Sequence, residues 1–121
     1  MNINPYQGFA SRAAVAVASR NADFRSSGID VRDYVGSLAV ALYSGAGGAL
    51  ETMDVKVQHS ADLASWTDVT SGAFAQVVGS NVYQVLPIDT RAISRYIRIH
   101  GTISGTFIAG VSILGRKQVQ P

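Results

Sequence analysis

The chain has 121 residues, 47% hydrophobic and only 15% charged, which is enough apolar material for one core and too much for a disordered segment. Its formal net charge of +2 is too small to argue for nucleic acid, and the lack of cysteine excludes disulfides and thiolate metal sites. No window approaches the roughly 20 consecutive apolar residues of a membrane helix, and the start, Met-Asn-Ile-Asn-Pro, has no signal-peptide pattern; a cytosolic product that meets no membrane is expected.

Residues 1–27 differ from the rest. Ser11–Ser19 is made of small residues apart from Arg12, and Arg20, Asn21, Asp23 and Arg25 precede a Ser-Ser-Gly break. Ala13–Ala18 fits a weak strand or a short helix, because alanine favours helix while Val15 and Val17 sit at strand spacing. The segment reads as an extended N-terminal arm, ordered by a neighbouring surface, ahead of a domain over residues 28–121.

From Ile29 onward strand follows strand. Ile29–Val35 alternates, with Ile29, Val31 and Asp33 on one side. Leu38, Val40 and Leu42 form the next apolar face, and Ser44–Gly48 is a glycine-rich turn. Met53, Val55 and Val57 alternate with Asp54, Lys56 and Gln58, the pattern of a strand wetted on one side. Short runs follow at Trp66–Val69 and Phe74–Val78. Val82–Ile88 carries Pro87, which confines it to an edge or a bulge. Arg95–His100 and Phe107–Leu114 close the chain, the latter apolar on both faces. Seven or eight short runs at this spacing, without a convincing amphipathic helix, predict an all-β, antiparallel β-sandwich of jelly-roll type.

Little in the sequence carries chemistry. His59 and His100 have no acidic neighbour in sequence; His59 shares the parity of core valines, and His100 that of Tyr96 and Arg98. Asp62 and Asp68 flank Trp66 in a hairpin-like turn, where aspartate commonly binds local backbone N–H groups. Trp66 reads as a plug at one end of the sandwich, with an exposed stacking platform as the other reading. The Gly45–Gly48 run lacks the following Lys-Ser/Thr of a phosphate loop. No catalytic residue, cofactor or metal site is predicted. Charge is unevenly placed: after Asp89 come Arg91, Arg95, Arg98, Arg116 and Lys117 with no carboxylate. The low overall charge predicts a face covered by a partner, hence a homo-oligomer.

Two stretches resemble known proteins: DVKVQHSADLASWTDV over Asp54–Val69 and IDTRAISRYIRI over Ile88–Ile99. Their order, from about Ile29 to Arg116, is similar to small head-decoration or cement proteins of tailed bacteriophages and related phage structural proteins. The resemblance implies a non-enzymatic virion protein, made in the host cytoplasm and bound to the outer phage head. Its partners would be the major capsid protein and itself, as a homotrimer, with no direct nucleic acid. On that reading Arg12, Arg20 and Arg25 of the arm and Arg95 and Arg98 of the basic carboxy-terminal half are capsid or subunit contacts. The same stretches resemble discoidin or galactose-binding-like sandwiches, although Ala61-Asp62-Leu63 stands where those carry an Asp-Gly turn. A carbohydrate- or surface-binding module and a phage tail or fibre component are the alternatives.

Overall fold

A computed structural model describes residues 9–45, 48, 50–79 and 81–117. The strands in chain order are β1 (Phe9–Arg20), β2 (Phe24–Arg25), β3 (Ile29–Asp30), β4 (Tyr34–Ser44), β5 (Thr52–Ser60), β6 (Thr67–Ala73), β7 (Val77–Val78), β8 (Val82–Asp89), β9 (Tyr96–Ser104) and β10 (Phe107–Lys117). One 3-10 turn, Thr90–Ala92, links β8 to β9. Two antiparallel sheets form a β-sandwich: sheet A in the order β1-β10-β4-β8, and sheet B in the order β2-β9-β5-β6, with β3 also on β9 and β7 on β5. Strands adjacent in sequence repeatedly change sheet, which is the jelly-roll pattern.

The alternating valines and isoleucines dictate this arrangement, because each strand sends every second side chain to the same side. Leu38, Val40 and Leu42 of β4, Met53, Val55 and Val57 of β5, Ile97 and Ile99 of β9, and Phe107, Val111 and Ile113 of β10 meet between the sheets, all buried. Pro87 lies in β8, an edge strand of sheet A, where its missing N–H breaks no ladder.

Three expectations need correction. The amino-terminal segment is extended, but Phe9–Arg20 does not stand apart as an arm: it pairs antiparallel with β10 as the edge strand of sheet A. The boundary at 27 and 28 therefore falls inside the sandwich; residues 1–8 lie outside the described part. The physical reason is β10, whose backbone would otherwise be a bare edge and whose Gly110 lets β1 approach. A Cβ there would lie 2.5 Å from Val17 Cγ2 and 3.0 Å from Val17 Cα. Secondly, Ile29–Val35 is not one strand. Ile29 and Val31 are buried, but Arg32 and Asp33 turn the chain and Asp33 is exposed. Thirdly, the strand expected over Arg95–His100 begins at Tyr96 and runs on to Ser104, with Gly101 placed under the ring of Phe24. The glycine-rich turn after Ser44 falls partly outside the described residues.

The β5–β6 turn shows how local chemistry replaces the usual glycine. Leu63 has φ 65°, in the left-handed region. The buried Ser60 hydroxyl accepts from the Leu63 N–H at 2.9 Å, and Asp62 Oδ1 accepts from the N–H groups of Ala64 and Ser65 at 2.9 Å each. Those backbone bonds hold the Asp62 carboxyl below the usual carboxylate range. Leu63 and Trp66 both lie against Gly28, where any side chain would collide.

Candidate binding faces

The outward faces of the two sheets differ in kind. On sheet B, β9 turns Arg98 and His100 outward and β5 turns Lys56 and Gln58 outward, since their neighbours fill the core. Register places Gln58 opposite Arg98 and Lys56 opposite His100, with Arg25 of β2 on the other side of His100. Arg98 Nε donates to Gln58 Oε1 at 2.7 Å, and its guanidinium lies 4.5 Å from the Trp66 ring centre. Asp68 of β6 accepts from Lys56 Nζ at 3.0 Å and from Gln58 Nε2 at 2.9 Å. These hydrogen bonds, Gln58 first, lower its pKa.

That leaves a cluster of like charge. Among the described residues, neither Arg25 nor Arg98 has a carboxylate within ion-pair distance. His100 Nδ1 is buried and finds no hydrogen-bond partner among the described residues. Burial pushes the His100 pKa down, and the charges of Arg25, Lys56 and Arg98 push it further, against a smaller opposing effect of Asp23. Arg98 is lowered by burial and then by Arg25. Beside the cluster, β6 bulges away from β5 between the Lys56–Ala73 and Gln58–Asp68 pairs. A hollow of about 170 Å³ opens there, lined by Asp54, Lys56, Phe74 and Thr102.

The five arginines singled out in the sequence do not form one surface. Arg25 and Arg98 share the sheet B face. Arg95 is tied to Asp30 at 3.0 Å and lies over Tyr96, pinning β3 to the start of β9. Its bond holds the Asp30 carboxyl low. Arg20 donates to the carbonyls of Ala109 and Ala16 and covers Phe24, locking the end of β1. Arg12 is exposed on β1, in the other sheet. Trp66 is half-buried under Arg98 and is not a core plug. The partnership of Arg98 with Trp66 and Gln58 was missed in the sequence; strand parity on β5 and β9 was its only trace.

His59 Nδ1 accepts from the Ser94 N–H at 2.9 Å, a strand-end anchor. Among the described residues no three His, Asp or Glu side chains are placed to hold a metal ion.

Sheet A presents the opposite chemistry. Its outward rows run Val17–Gly110–Tyr43–Tyr83, then Ala13–Ser112–Ala41–Val85, then Leu114–Ala39–Pro87. None of these residues is charged. Val17, Tyr43, Tyr83, Val85 and Leu114 are exposed although large and apolar. Among the described residues charge lies at the margins of this face, at Arg12 on the edge strand β1 and at Arg116 and Asp89 at one end, beside a hollow of about 240 Å³ between Ala39, Pro87 and Leu114.

No family model matches the chain, and no curated protein does. Solved structures share its fold. The SPBc2 prophage-derived protein YomS is 13% identical with a TM-score of 0.61, over 88% of this chain and 91% of that one. The PBSX exported protein XepA is 16% identical with a TM-score of 0.61; 93% of this chain matches only 38% of XepA. The C-terminal family 22 carbohydrate-binding module of Clostridium thermocellum Xyn10B is 13% identical with a TM-score of 0.50, over 95% and 89% of the two chains. At such identities the likeness is one of fold, and a fold of this kind hosts unrelated functions.

Proposed function

We propose that this protein is a non-enzymatic structural subunit of a bacteriophage particle, a decoration protein on the outside of the head that pairs with its own copies through the outer face of sheet A. The uncharged face of sheet A carries the reading, and the likeness to two phage-derived proteins agrees with it. Four strands about 4.8 Å apart and some seven residues long give a face of roughly 440 Å² in plan; two such faces, corrugated by side chains, come within reach of the ~1,200 Å² at which specific interfaces begin. A second copy is the occupant that charge favours. The outer face of sheet B sets out the unpaired Arg25 and Arg98 among engaged carboxylates, so a copy stacked on it would bury charge, whereas the central rows of sheet A bring no charge to the contact. Face-to-face packing of identical sheets closes with twofold symmetry, so the reading replaces the trimer by a dimer.

Two measurements test it. Mass spectrometry and labelled imaging of purified particles should find the protein on the head; its absence, or its confinement to the tail, overturns the decoration role. Sedimentation of the intact chain at tens of micromolar should give a dimer that Ala41→Lys converts to a folded monomer. A wild-type monomer, or an Ala41→Lys dimer, overturns pairing through sheet A. A second reading, a binding module for a surface polymer, is favoured by the cationic face of sheet B.

A further inference from the structure

The geometry points to the outer face of sheet B as a binding site for a carboxylate-bearing polysaccharide, with Arg98 and Arg25 engaging its carboxylates. This inference does not depend on the location of the protein or on pairing through sheet A. Arg98 is held in place before any ligand arrives: Gln58 accepts from its Nε, and Trp66 lies under its guanidinium plane. That leaves the terminal amino groups as a fixed fork, the geometry that matches a planar carboxylate in two parallel hydrogen bonds. Register sets Arg25 of β2 opposite His100, two residues along β9 from Arg98 and on the same face, and neither arginine has a carboxylate of its own among the described residues. Two unneutralised guanidinium groups on one face of neighbouring strands repel each other, an arrangement an anion relieves.

The neighbourhood separates a glycan from an acidic protein. Protein interfaces centre on buried aromatic or aliphatic anchors. Among the described residues of sheet B and its β5–β6 turn, only Val78 on the short β7 and Leu63 in the turn are exposed large apolar side chains, too few for such a centre. The sheet offers instead Thr102 and the hollow beside Lys56, a setting suited to hydroxyls. Asp54 and Asp23 bound the cationic strip and are already engaged, Asp54 accepting from Gln76 Nε2 and Asp23 from the Ile103 N–H, each at 3.0 Å.

His100 supplies an internal reporter. Its imidazole faces Arg25 from β2, Lys56 from β5 and Arg98 on its own strand, with Asp23 and Asp68 nearby. A carboxylate seated among these cations favours the imidazolium form, so binding should raise the His100 pKa and tighten as pH falls through the bound-state value.

The experiment is calorimetric and NMR titration of the intact chain with oligogalacturonates at low salt. Carboxyl-reduced oligomers, polyglutamate of matched charge and sodium sulfate are the comparators. Oligogalacturonates should bind, the reduced oligomers should not, and polyglutamate and sulfate should bind at least about tenfold more weakly. Arg98→Gln should lose roughly 10- to 100-fold, the worth of a bidentate charged pair, with Arg98→Lys between it and the parent. Both variants should keep the parent's circular dichroism, since Arg98 forms no ion pair. The His100 pKa should rise in the bound state. The proposal is overturned by no binding, by equal binding of the reduced oligomers or polyglutamate, or by an unchanged affinity in folded Arg98→Gln. Loss of the dimer in Ala41→Lys with oligogalacturonate binding intact would separate the two faces.

Discussion

Val15 and Val17 lie two residues apart in one strand, so simple alternation would give them the same environment. They do not have it. A register shift between Val15 and Ala18 turns Val15 into the core, 7% exposed, and leaves Val17 outside over Gly110, 63% exposed. Val15→Ala removes two buried carbons, about 1.6 kcal/mol at ~0.8 kcal/mol each, and incomplete collapse around the site brings the cost to about 2 kcal/mol. For a domain of this size that is a fall in Tm of roughly 6–12 °C. Val17→Ala should cost under about 0.5 kcal/mol in the dilute, unpaired protein, as exposed substitutions do. Urea unfolding of the parent and both variants, followed by tryptophan fluorescence at low concentration, reads the difference. Equal shifts for the two valines, or a Val15→Ala protein with the parent's midpoint, would refute the bulge and return residues 9–20 to the status of a detachable arm.

Other outcomes follow from the same packing. The His100 pKa is depressed in the folded protein, so the unfolded chain binds more protons below about 6.5, and stability should fall as pH drops from 6.5 toward the folded value. His100→Gln should flatten that part of a plot of urea midpoint against pH. A Cβ on Gly101 would lie 2.2 Å from Phe24 Cζ, so Gly101→Ala should destabilise by displacing that ring. In a Phe24→Ala background the penalty should shrink by at least about 0.5 kcal/mol, measured as a double-mutant cycle. Asp62→Ala should lower the Tm at neutral pH by freeing the N–H groups of Ala64 and Ser65, whereas Asp62→Asn, which keeps an acceptor, should lower it less. The Asp62 contribution is present above the unfolded pKa of about 3.8 and is lost as pH falls through the lower folded value, so only the parent should show it in an acid titration of Tm.

Alternation determined which face of the main strands meets the core. Leu38, Val40 and Leu42, or Met53, Val55 and Val57, state in sequence which side of each strand meets the core, because side-chain direction has a strict period of two. The role of Asp62 as a turn-forming acceptor, the edge position of Pro87 and the outward direction of His100 were legible for similarly local reasons. What needed tertiary structure was everything set by register between distant strands. Ala13–Ala18 is ambiguous until β10 offers it an edge and Gly110 the room to approach. Arg98 and Arg25 share a face only because β2 and β5 flank β9, bringing residues 25, 58 and 98 onto neighbouring strands. Arg95, two residues before β9 reaches Ile97, is drawn instead to Asp30 by the pairing of β3. The uncharged face of sheet A was dispersed over four strands, each carrying only a few unremarkable small residues. No local pattern encodes a surface of that kind, since its continuity arises from hydrogen-bonded neighbours up to about 100 residues apart in the chain.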